Sequence, residues 1–157
     1  MDSHNRRFFS FLILSGILLG SAAAAGPGKT VNGMDVFYGV VPAELIKNQA
    51  DVHDPKMHGG KRPGGGVQHL VVSVLDSTTG KHIGDATVIA IVTPLGLASQ
   101  EKRLDPMEIN QTVTYGNFFD FPPSSAPFRI VLKIARPNIP THNPSTVEFE
   151  YTPPGNR

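Results

Sequence analysis

Imidazole and thioether are the side chains of this sequence with the most chemistry to offer, and four of the ten lie in one stretch. HDPKMHGGKRPGGGVQHLVVSVLD, from His53 to Asp76, holds His53, Met57, His58 and His69 around a glycine-rich turn, and His82, Met107 and His142 follow. Imidazole nitrogen binds copper in both oxidation states and thioether sulfur favours the softer, reduced ion, so the combination suits copper. A site needs several such donors converging within about 2.0–2.3 Å of one point. Histidines in glycine-rich loops, turns and proline-rich loops are more often solvated than ligating, which covers His53, His58, His82 and His142. Met57 in such a loop can simply cover apolar surface. His69 differs, because it interrupts the apolar run VQHLVVSVL, where a buried imidazole without a partner costs a few kcal/mol.

Other chemistries find little support. Gly64-Gly65-Gly66 leads into a strand pattern and no Gly-Lys-Ser/Thr follows, so it is not a phosphate loop. Ser73 has no G-x-S-x-G frame and there is no cysteine, which leaves no nucleophile. Asp105 and Glu108 as an acid and base have only sequence proximity behind them. The expectation is a protein that is not an enzyme.

The elements that must position these donors begin after a leader. Arg6 and Arg7 precede an apolar run from Phe8 to Leu19, and small residues follow from Gly20 to Ala25. This is the layout of a secretory signal peptide over residues 1–25, with cleavage after Ala25. Its apolar run of about 12 residues is short of the roughly 20 that span a bilayer. No cysteine follows to take a lipid, and Arg6-Arg7 with Phe9 partly fits twin-arginine export as well as an ordinary charged start. The expected location is periplasmic or secreted, with no membrane embedding after cleavage. Removing Asp2, Arg6 and Arg7 leaves equal numbers of basic and acidic side chains, so no nucleic-acid footprint is expected.

Residues 26–157 make one domain on the usual size prior. Glycine (16) and proline (14) punctuate short β-rich segments: MDVFYGVV, VQHLVVSVL, ATVIAIV, KRLDPMEI, VTYGNFFDF, FRIVLKIA and TVEFEY. The last two alternate apolar and charged residues, giving one dry and one wet face. The continuous apolarity of ATVIAIV predicts a strand covered on both faces. Pro106 demotes KRLDPMEI to an edge or a bulge, and PAELIKNQA, Pro42 to Ala50, reads as a turn or two of helix. Together these predict an all-β fold, an immunoglobulin-like antiparallel β-sandwich of about seven strands.

Three stretches, NGMDVFYGVVPAE, GVQHLVVSVLD and LDPMEINQTVTYGNFFDFPPSSAPFRIVLKIARP, resemble the periplasmic iron-transport auxiliary proteins and the related YtkA-like domains. The resemblance implies an exported immunoglobulin-like sandwich, homodimers and copper held near an iron site. The family's strand histidine falls on His69 and the methionine of its PM motif on Met107. Its carboxylate two residues after that histidine is Val71 here, and a second histidine before Tyr-Gly is Thr114, which makes the YtkA-like branch the nearer relative. The expected metal ligands are His69 and Met107, completed by His58 or Met57. The resulting reading is a periplasmic metal-binding accessory protein that binds copper, linked to iron handling or to delivery to an envelope transporter or oxidase. The competing reading is a non-metal immunoglobulin-like interaction module of the cell envelope, which has no reason to bring His69 and Met107 together.

Overall fold

The structure, a computed structural model, describes residues 28–43, 66–109, 111–137 and 143–154. The leader, all but the first two residues of the helical turn expected over Pro42 to Ala50, and His53, Met57, His58 and His142 lie outside these residues, and Pro42 itself ends a strand. Among the described residues no helix is long and apolar enough to cross a membrane.

The fold is all-β. Strands β1 (Gly28–Val31), β2 (Met34–Pro42), β3 (Val67–Asp76), β4 (Thr87–Thr93), β5 (Gln100–Ile109), β6 (Thr112–Asp120), β7 (Phe128–Ala135) and β8 (Ser145–Tyr151) form one antiparallel sheet in the order β1-β2-β3-β6-β5-β4-β7-β8. Among the described residues the strands number eight, against about seven expected. The addition is β1, four residues long and joined to β2 by Asn32-Gly33, whose φ values of 45° and 74° are those of a tight hairpin turn that glycine and asparagine tolerate best.

The sheet folds on itself nearly into a barrel. Side chains bridge its two ends: Lys29 Nζ of β1 donates to the Glu148 carbonyl of β8 at 2.7 Å, and Asn32 Nδ2, from the turn after β1, donates to Ser145 Oγ at 2.9 Å. The bend between the two halves falls within β5, which pairs with β4 up to Leu104 and with β6 from Asp105 onward. Pro106 follows that switch, where β5 has a registered neighbour on one side only, so its missing N–H costs no ladder bond on the other.

Alternation puts Leu70, Val72 and Val74 of β3, Val88, Ala90 and Val92 of β4, and Phe128, Ile130, Leu132 and Ile134 of β7 into one core. The dry and wet faces expected of β7 and β8 are present, with Val147 and Phe149 buried and Glu148 and Glu150 exposed. β4 departs from expectation: Ile89 and Ile91 on its outer face are only half-buried, because strand β4 has strands on either side but, among the described residues, no layer closing over that face.

Tyr115 ties β6 to the rest. Its buried hydroxyl donates to the Ile83 carbonyl at 2.7 Å and accepts from the Ala86 N–H at 3.0 Å, pinning the strand to the segment that enters β4. Because successive side chains of a strand point to opposite faces, an anchored Tyr115 turns Thr114 and Gly116 to the face away from the core.

Candidate metal site

With Leu70 and Val72 directed into the core, His69 and Val71 of β3 face outward. On β6 the outward residues are Thr114, Gly116 and Phe118, and on β5 they are Asp105 and Met107. Strand register arranges them in rows: His69 beside Phe118, Val71 beside Gly116 beside Asp105, and Thr114 beside Met107. His69 and Met107 thus sit diagonally on either side of Gly116, one row above it and one below.

Glycine at the centre lets them meet. A Cβ placed on Gly116 would lie 2.5 Å from Met107 Cε, 2.6 Å from His69 Cε1 and 2.9 Å from His69 Nε2. The ring edge bearing a nitrogen and the end of the thioether therefore occupy the space that any other residue's side chain would take. Both are only 2% exposed, yet neither belongs to the main core cluster. The His69 ring also packs against Phe118, with centroids 4.8 Å apart and planes tilted by 56°.

The half-buried neighbours Val71 and Phe118 make the surroundings apolar. Asp105, half-buried, is the carboxylate in the central row. The carboxylate absent at Val71 therefore has a counterpart in the same row, on the far side of Gly116. Thr114 Oγ1 is buried beside Met107.

Two of the four sequence-predicted ligands, His69 and Met107, are brought together; His58 and Met57 lie outside the described residues. His82 is exposed and its Nδ1 is 3.2 Å from Ser73 Oγ, as suits a solvated turn histidine. Among the described residues, no group of three or more histidine, aspartate or glutamate side chains is placed to hold a metal ion. A metal here has to use the thioether and donors beyond that set. The residue that sequence reasoning missed is Gly116; its only signal was the Tyr-Gly pair in the family-like stretch, and nothing in the sequence says that two side chains converge on it.

An imidazole nitrogen and a thioether sulfur in an apolar cradle fit copper by the softness of the donors. No protein-family model matches the sequence, and no curated protein matches it. Solved structures do. A copper-bound variant of FetP from uropathogenic Escherichia coli is 16% identical, with a TM-score of 0.56 over 81% of this chain and 95% of that one. A copper-bound variant of P19 from Campylobacter jejuni is 16% identical, with a TM-score of 0.57 over 82% of this chain and 96% of that one. A second copper-bound P19 variant reaches a TM-score of 0.59 at 13% identity, over 85% of this chain and 98% of that one. The chain thus has the fold of FetP and P19 along nearly the whole length of those proteins.

Proposed function

We propose that this protein is an exported, periplasmic metal-binding accessory domain that holds copper between His69 and Met107. The observation that carries the reading is their meeting over Gly116. The likeness to copper-bound FetP and P19 supports it independently, since it rests on the fold and not on these two side chains.

In this reading His69 supplies a ring nitrogen, Met107 supplies sulfur, and His58 or Met57 completes the set. Copper bound there provides a redox-active centre. The chain's own contribution is selection and protection: the thioether favours the soft ion, Phe118 holds the imidazole plane, and the apolar neighbours limit access of water. The protein binds and delivers rather than catalyses in this reading, in keeping with a sequence that has no cysteine and no G-x-S-x-G frame. Its recipient is an envelope transporter or oxidase, and it works as a homodimer. The YtkA-like branch fits better than the iron-transport branch because Val71 and Thr114 stand where the latter has a carboxylate and a histidine. The two halves of the sheet that share β5 act as the layers of an immunoglobulin-like sandwich.

Titration of the mature protein with cuprous and cupric ions tests the reading. Binding tighter than micromolar, lost in His69→Gln and Met107→Leu, is expected; binding unchanged in both variants would contradict it. A second reading, a non-metal interaction module, is favoured by Leu95 and Leu97, which are 76% and 61% exposed on the β4–β5 loop. It predicts a partner whose binding needs these leucines and is indifferent to His69 and Met107.

A further inference from the structure

Thr114 is the direct cross-strand partner of Met107 and lies two residues from Gly116 on the same face of β6. Side chains paired in this way have Cβ atoms about 4.5–5.5 Å apart, so the Thr114 and Met107 side chains are immediate neighbours. Thr114 Oγ1 is buried and has no hydrogen-bond partner among the described residues. Buried hydroxyls are nearly always paired, and one left unpaired is destabilising. Valine has the same shape, suits a strand as well and buries no hydroxyl. The chain instead keeps a donor that also has two acceptor lone pairs, at a place where the described residues give that group nothing to bind.

We propose that Thr114 is a positioning residue whose hydroxyl hydrogen-bonds a water molecule on a cupric ion held by His69 and Met107. This rests on the copper reading above and adds a consequence for oxidation state. Cupric ion takes nitrogen and oxygen donors in a tetragonal arrangement, so His69 and Met107, even with His58 or Met57 added, leave it needing oxygen; cuprous ion is satisfied by soft donors. Water oriented by Thr114 therefore stabilises the oxidised ion and leaves the reduced ion largely unaffected. The site can then keep copper through a change of oxidation state.

The test compares wild type, Thr114→Val and Thr114→Ser in the full mature protein, titrated with cupric ion in air and cuprous ion under anaerobic, reducing conditions, with the melting of the metal-free forms. Thr114→Val should bind cupric ion about tenfold more weakly, the low end for loss of a group that supports a ligand. Its cupric electron paramagnetic resonance spectrum should shift, its cuprous affinity should stay within about twofold, and Thr114→Ser should restore the cupric affinity. Metal-free Thr114→Val should melt no lower than wild type, since it loses no hydrogen bond. Equal cupric binding in wild type and Thr114→Val would overturn the proposal while leaving the copper site standing. So would equal weakening of both ions together with a lower melting temperature, which marks a structural role. Wild type that binds neither ion would overturn the copper reading itself.

Discussion

His69 on β3 and Met107 on β5 approach from opposite sides of β6 and close over Gly116, where a methyl group would stand 2.5 Å from the Met107 Cε and 2.9 Å from the His69 Nε2. Residues 38 positions apart in the chain become neighbours because β6 runs between their strands and carries no side chain where they meet.

Gly116→Ala should separate the two. Contacts below 3 Å force either the thioether or the ring to move, and overpacking of this kind costs about 1–3 kcal/mol. Copper affinity should fall by at least tenfold, while the fold survives with a lowered urea midpoint. Unchanged affinity would mean that the convergence at Gly116 has no part in binding.

Tyr115 orients the strand that carries Gly116 and Thr114. Tyr115→Phe removes the donation to Ile83 O and leaves the Ala86 N–H without its acceptor, a loss of about 1–3 kcal/mol measurable by denaturant unfolding. Burial raises the Tyr115 phenol above its ordinary value, partly offset by the Ala86 hydrogen bond and reinforced by Asp85. The neutral phenol is thus favoured in the folded state. Its stabilisation is fully present below about pH 10, the ordinary tyrosine value, and is lost as pH rises through the higher folded value. Stability above that pH should fall less steeply in Tyr115→Phe than in wild type; identical alkaline slopes would count against this role.

Asp76 contributes on the acid side. Its Oδ1 accepts from the Thr79 N–H at 2.9 Å, Thr79 Oγ1 at 3.0 Å and the Thr78 N–H at 3.2 Å, closing the turn after β3, and Arg136 lies 3.9 Å from Oδ2. The Thr79 hydrogen bonds lead the causes that hold its carboxyl below the usual aspartate range. A depressed folded value means that this stabilisation is present above the ordinary aspartate value and disappears as pH falls through the folded one. Asp76→Asn should flatten the acid limb of the stability profile below about pH 4. A profile superimposable on wild type would refute the assignment.

The fold was largely legible where alternation is clean. FRIVLKIA and TVEFEY became β7 and β8 with the expected faces, because period-two patterning is a local property. β1 escaped because GKTV has a single large apolar residue, although the Asn32-Gly33 pair marks a hairpin turn. The change of partner within β5 was hinted at only by Pro106, since which strands β5 pairs with depends on long-range order. At the site, the types of His69 and Met107 were legible and their convergence was not. That convergence depends on β6 lying between β3 and β5, and on a glycine whose importance comes from its neighbours. The unpaired state of the Thr114 hydroxyl was likewise invisible, because a threonine in a strand is unremarkable until its surroundings are known.

The central claim is that His69 and Met107 hold one copper ion between them. X-ray absorption at the copper edge of the metal-loaded mature protein tests it most directly, with Met107→Leu and His69→Gln as controls. Sulfur and imidazole scattering around a single copper ion is predicted, with the sulfur shell lost in Met107→Leu and the imidazole shell reduced in His69→Gln. A wild-type spectrum with no sulfur neighbour, or one that neither substitution alters, would contradict the account.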